Sequence, residues 1–176
     1  MGLAIAESNE LAPSVRRAGV ADLPALCRLV NRAYAVESFF VDGDRTGLAE
    51  VALLAEQGHF LVLDGIGHFS VRDGVEHGRE LAASVYLRIE GGRGKLSMLA
   101  VAPELQRRGL GHRLVAIVEA MCSAMGCEVV ELDIVNLRDE LGPFYRRLGY
   151  REVGTAPYDH RPSRRECHFV RMQKSL

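Results

Sequence analysis

The chain has no tryptophan, and only two of its 22 basic residues are lysine, Lys95 and Lys174, leaving 20 arginines among 176 residues. A guanidinium fork suits phosphate and carboxylate, although coding bias produces the same usage. There is no excess of either charge: the formal net charge is −1, so any attraction for an anion must be local. Cysteine is sparse as well. Cys27, Cys122, Cys127 and Cys167 form no CxxC pair and have neither disulfide-framework nor zinc-site spacing. Cys122 and Cys127 read as small buried hydrophobes. No apolar run approaches the roughly 20 residues that cross a bilayer. The opening MGLAIAESNELAP lacks a basic n-region and a proper apolar core, and Ala6 breaks the myristoylation pattern. A reduced, cytoplasmic protein is the expectation.

What is present is ordinary globular composition, with 48% hydrophobic and 26% charged residues. The length suits one domain, able to bury roughly 70% of its unfolded surface without disulfides or metal. Residues 1–13 read as a flexible leader and 14–176 as a single domain. A first strand is expected at 14–18. A helix over 21–37 puts Leu23, Leu26, Cys27, Val30, Ala33 and Tyr34 on one face. A second helix at 44–58 takes Asp44 as its cap. Strands follow at 59–64, 80–90 and 95–102, with 65–79 a long turn-rich loop and GGRG (91–94) a hairpin turn. Pro103 ends the third of these. A helix from Gly109 to Met125 presents Leu110, Leu114, Ile117, Val118, Met121 and Met125. It leads to a strand at 128–135, a short helix at 142–148 and strands at 150–156 and 166–174. This order gives an α/β (α+β) fold, a mixed sheet with helices packed against it.

The chemistry concentrates in residues 99–114, LAVAPELQRRGLGHRL. A strand stops at Pro103, and a helix starts near Gly109 with unsatisfied N–H groups pointing outwards. Glycines 109 and 111 remove the Cβ atoms that would block a phosphate. Helix dipole and backbone N–H groups make an anion site, and Arg107, Arg108 and Arg113 add charge, with His112 a further donor. The P-loop pattern is absent. A Rossmann site needs a small residue where Leu114 stands, and Asp133 falls mid-strand rather than at a strand end. An ordinary glycine-containing helix start is the bland reading.

The stretch is not isolated. Gln106-Arg107-Arg108-Gly109-Leu110-Gly111, after Val101-Ala102-Pro103, resembles the [QR]-x-x-G-x-[GA] signature of the GNAT N-acetyltransferase superfamily. Tyr145-Arg146-Arg147-Leu148-Gly149-Tyr150 resembles a second hallmark of that family, Y-x-x-x-G-[FY]. The element order matches over roughly 14–174. The resemblance implies a GNAT-like fold, mostly antiparallel and flanked by helices, and acetyl-CoA or a related acyl-CoA as co-substrate, without metal. It places the thioester and pantetheine arm on Leu99, Ala100 and Val101, and the pyrophosphate on the loop of Gln106, Arg107, Arg108, Gly109, Leu110, Gly111 and His112. The reaction it implies is direct attack of an acceptor amine on the thioester in a ternary complex.

Such a reaction needs an oxyanion donor, a deprotonated amine and a protonated leaving thiolate. The resemblance makes Tyr145 the acid; packing beside Phe144 is the structural alternative. In some members a strand glutamate activates the amine, and Asp133 occupies the matching place. Glu37, Glu131 and Tyr34 are rivals. The family's common Asn seven residues before the tyrosine is Arg138 here, and Asn136 does not align with it, which departs from the protein-N-terminus acetyltransferases. Acidic Glu37, Asp42 and Asp44 could attract a cationic amine. His59, His68, His77, His160 and His168 are scattered and read as structural or solvated. The expected partner is a small-molecule amine or a peptide or protein amine, not nucleic acid or membrane, with a homodimer allowed. A non-catalytic acyl-CoA-binding or sensor module is the alternative from another class, and a Rossmann-type nucleotide module a third.

Overall fold

The first strand, β1 (Val15–Arg17), is fixed by one arginine. Arg16 donates to both carboxylate oxygens of Asp22, at 2.7 and 2.8 Å, and to those of Asp64 at 2.8 and 3.0 Å. One fork thereby ties the strand to the following helix and to its sheet neighbour. The computed structural model describes residues 14–65, 71–72, 75–76 and 80–176, so the leader expected at 1–13 lies outside the described residues.

Helix α1 (Leu23–Tyr34) buries Leu23, Leu26, Leu29 and Val30, with Cys27, Ala33 and Tyr34 at the margins of that face. The helix expected to Glu37 instead tightens into a 3₁₀ segment over Ala35–Phe39. Residues three apart eclipse in a 3₁₀ turn, and this brings Glu37 and Phe40, both buried, to the same side. Helix α2 (Leu48–Gln57) starts later than expected, and Asp44 does not cap it; Gly47 stands at that position. The reason is Asn31, whose side chain accepts from the Thr46 N–H and donates to the Thr46 carbonyl, both at 2.9 Å. Those bonds occupy the backbone groups that a longer helix would use.

Strand β2 (His59–Asp64) and the small hairpin of β3 (Val71–Arg72) and β4 (Val75–Glu76) lead into β5 (Leu81–Glu90) and β6 (Arg93–Val101). The remainder of the expected 65–79 loop beyond Gly65 lies outside the described residues. The four-residue GGRG turn contracts to two residues. Gly91 and Gly92 both have positive φ, +57° and +71°, so Arg93 already pairs with Glu90. Helix α3 (Leu110–Ala124), β7 (Val129–Val135), α4 (Leu141–Arg147), β8 (Arg151–Pro157) and β9 (His168–Ser175) complete the chain.

The seven-stranded sheet runs β1-β2-β5-β6-β7-β9-β8, and its pairings are antiparallel except β6 with β7. Its central strands are buried on both faces. Leu61, Leu63, Val85 and Leu87 pack against α3 with Leu114, Val118 and Cys122. Phe60, Val62 and Tyr86, the intervening residues, pack against α1. Both Cys122 and Cys127 are buried, as expected, and burial pushes the Cys122 thiol up. Met125 departs from its expected face; it sits past the last helical residue and is exposed. No described helix is long and apolar enough to cross a membrane.

Candidate active site

The sheet opens where β6 and β7 part. Their parallel pairing covers only Arg93–Lys95 against Val129–Glu131. Beyond it β6 bulges: Tyr86 pairs with Ser97 and Ser84 with Ala100, so Met98 and Leu99 together oppose Val85. Met98 has φ +49°, an uncommon conformation for a side-chain-bearing residue. A bulge bends its strand and re-aims the residues after it. The edge of β6 from Ser97 to Val101 therefore has no strand partner on the β7 side.

This gap is the mouth of a cavity of about 530 Å³, with Ser97, Met98 and Leu99 on one wall and Asp133, Ile134 and Val135 on the other. Helix α4 contributes Phe144 and Tyr145, the end of α1 contributes Tyr34, and the following segment contributes Glu37 and Arg45. Leu99 lines the cavity. Ala100, buried on the α1 face, does not, and neither does Val101.

The expected anion loop lies beside this cavity, outside its lining. Gly109 caps α3 at φ +78°, a left-handed conformation natural only to glycine, and a Cβ built there meets no atom within 4 Å. The first intrahelical bond runs from the Arg113 N–H to the Gly109 carbonyl at 3.0 Å, and no side chain caps the helix. The Leu110, Gly111 and His112 amides thus lead the helix unopposed. Arg107, also at positive φ (+61°), Arg108 and His112 are exposed around them. Gln106 is engaged otherwise: its amide nitrogen donates to the Val101 carbonyl at 3.3 Å and braces the loop against β6. Gly111 joins loop to cavity. A Cβ there would sit 3.7 Å from both Leu99 and Phe144, which line the cavity.

Tyr145 is buried, stacked edge-on to Phe144 at 4.9 Å and to Tyr150 at 5.6 Å, and it lines the cavity. Burial and then the neighbouring Tyr34 push its phenol well above the ordinary tyrosine range, against the opposing influence of Arg138. Asp133 lines the opposite wall with both oxygens engaged, Oδ1 by Arg171 Nε at 3.2 Å and Oδ2 by Lys95 Nζ at 3.7 Å. Of the rivals, Glu131 is tied to Arg93 at 2.8 Å and stays outside the cavity. Glu37 and Tyr34 lie inside it. Burial raises the Glu37 carboxyl, although Arg138 holds it at 3.1 Å. Tyr34 is pushed up to about 12, chiefly by burial.

Other expectations resolve differently. Asp42 pairs with Arg164 at 3.1 Å, and neither it nor Asp44 reaches the cavity, so the acidic loop contributes Glu37 alone. Asn136 accepts from the His168 N–H at 2.8 Å and serves the backbone. Among the described residues no group of histidine, cysteine or carboxylate side chains could hold a metal. His68 and His77 lie outside the described residues. His160 does line the cavity, with Tyr158 and Phe169. These aromatic residues and Arg45 had no motif to mark them; they come from separate loops and strands that only the fold brings together.

The acetyltransferase (GNAT) domain family matches residues 74–176 of the chain. Among solved structures, the ribosomal-protein-S18-alanine N-acetyltransferase from Escherichia coli superposes with a TM-score of 0.69 at 17% identity, covering 93% of each chain. The ribosomal-protein-alanine N-acetyltransferase from Brucella melitensis gives 0.68 at 23% identity, over 93% of this chain and 99% of that one. The PaiA N-acetyltransferase from Thermoplasma acidophilum, solved with coenzyme A, gives 0.68 at 15% identity, over 94% and 100%.

Proposed function

This chain belongs to the GNAT acetyltransferase family, and from that premise we propose that residues 14–176 form one domain that moves an acetyl group from acetyl-CoA directly to an amine. The observation that carries the reading is the adjacency just described: an uncapped helix start, free of obstruction at Gly109, touching through Gly111 a cavity that Tyr145 lines. Acetyl-CoA, when bound, supplies a thioester activated towards nucleophiles.

The residues divide the work in three. The amides of Leu110, Gly111 and His112, with Arg107 and Arg108, would hold pyrophosphate oxygens, since backbone donors and a helix dipole favour an anion there. The β6 edge from Leu99 to Val101, its Val101 carbonyl already held by Gln106, would offer its remaining backbone groups to the amides of the pantetheine arm and orient the carbonyl. Tyr145 would give its phenolic proton to the departing sulfur as the C–S bond breaks and the N–C bond forms. Its raised pKa keeps that proton in place at any physiological pH.

Asp133, held between Arg171 and Lys95, would accept a hydrogen bond from the amine or from a bridging water. With both oxygens already engaged by cations, Asp133 would order the amine while a water carries the amine's proton to bulk. The test is release of free thiol from acetyl-CoA over a panel of amines, aminoglycosides and peptides, beside calorimetric binding. Acetyl-CoA that binds and amines that release thiol support the transferase; binding without release from any acceptor would leave a binding module.

A further inference from the structure

The cavity carries a cation that acts on the Glu37 carboxylate only at a distance, without an ion pair. Arg45 stacks over the Tyr34 ring at 5.5 Å and makes no ion pair among the described residues. The other cations lining the cavity are engaged: Arg138 by Glu37, Arg171 and Lys95 by Asp133, and Arg88 by Glu90 at 3.0 Å. Glu50, the cavity-lining carboxylate nearest Arg45 in sequence, accepts instead from the Thr46 hydroxyl at 2.8 Å.

Arg45 is also in a definite place. It holds down the Tyr34 phenol that Glu37 raises, and it lowers His160 across the cavity. Tyr34 in turn raises Tyr145. Tyr145, Tyr34 and Arg45 thus share one cavity, Arg45 against the Tyr34 ring, with Glu37 and Arg138 also in its lining. His160, kept neutral chiefly by burial, adds no second cation there, and with Tyr158 and Phe169 it makes an aromatic wall of ring centroids 5.0–6.2 Å apart. None of residues 107–112 lines this cavity, so Arg45 stands apart from the loop assigned to pyrophosphate.

We infer that Arg45 receives an anionic group of the acceptor, and that the acceptor is an amine carrying a carboxylate and an apolar body, as an α-amino acid or an acidic amino-terminal peptide segment does. The inference rests on the transferase reading above. With the amine at Tyr145 and the carboxylate on the Arg45 fork beside Tyr34, the molecule lies within this cavity, and its apolar body lies on Tyr158 and Phe169. A guanidinium already stacked on an aromatic ring has surrendered much of its rotamer freedom, so a charge-assisted bond forms there at small entropic cost.

The experiment compares acceptors that differ only in the carboxylate: phenylalanine, phenylalaninamide and phenethylamine, with Ala-Asp and Ala-Asn amides as the peptide arm. Thiol release gives kcat/KM, and calorimetry in the presence of CoA gives acceptor affinity without turnover. Phenylalanine should exceed phenylalaninamide by about tenfold or more, the worth of one charge-assisted contact, mostly in KM. Arg45→Gln should bring that ratio towards one, and Arg45→Lys should restore part of it. Preference within the dipeptide pair, instead of between the free amino acid and its amide, would identify the peptide as the source of the same carboxylate. Ratios near one in both pairs in the unaltered protein, or a preference left unchanged by Arg45→Gln, would overturn the inference while transfer itself stands. Carboxylate-dependent affinity with no thiol release from any amine would retain the Arg45 site and strike the transferase reading instead.

Discussion

Gly109 allows backbone strain and charge to be separated at one position. A Cβ there meets nothing within 4 Å, so no substitution clashes. What every substitution pays is the left-handed φ of +78°, about 1–2 kcal/mol for a side-chain-bearing residue. In a chain of this size that lowers Tm by roughly 2–8 °C. Gly109→Ala, Gly109→Gln and Gly109→Glu should therefore melt within a few degrees of one another. Affinity should split them. A carboxylate about 5 Å from two phosphate charges costs roughly 1–2 kcal/mol at a water-like dielectric and several times more where solvent is partly excluded. Gly109→Glu should bind CoA at least tenfold more weakly than Gly109→Gln, and the gap should narrow as salt screens it. Calorimetry at two ionic strengths measures this. Equal affinity in the Glu and Gln variants would refute the placement of pyrophosphate at this helix start.

Tyr145→Phe should lower kcat by about 10²–10⁴-fold with little change in CoA affinity, as expected on removing a positioned acid; single-turnover kinetics beside calorimetry reads both. Gly94→Ala should cost about 1–3 kcal/mol by overpacking, because its Cβ would lie 2.3 Å from Cys122 Sγ. Urea melts of Gly94→Ala, Cys122→Ala and the double variant should show the second change relieving the first. Arg45→Gln should raise the His160 pKa, since removing a nearby cation favours the imidazolium; NMR titration of the ring protons follows it. The Arg45 cation and burial both hold that pKa below 6.5, so its titration should move towards neutral pH.

The sequence was most legible where one residue dictates one local geometry. Pro103 stops β6, Gly109 opens α3, and Gly149, at φ +93°, closes α4. The family resemblance rested on such punctuation, and the family match supports it. Long-range side-chain bonds were not legible. Asn31 decides where α2 begins from 15 residues away, and Arg138 fixes Glu37 from 101 residues away. The same holds for the cavity. Met98 carries no mark of its positive φ, because the bulge follows from how β5 and β6 pair. Tyr158, His160 and Phe169 share a wall through the β8–β9 connection, a contact that no local periodicity encodes.

The short parallel join between β6 and β7 has a mechanical consequence. Three residues of each strand, roughly 7–10 Å at the usual rise, fasten β1-β2-β5-β6 to β7-β9-β8. Beyond that seam β6 runs on through Leu96–Val101 and β7 through Leu132–Val135 with no pairing between them, so the seam sets how far apart the two strands stand along the cavity. Substitutions at Gly94, which sits in the seam against Cys122, should therefore alter the width of that gap from outside the cavity lining.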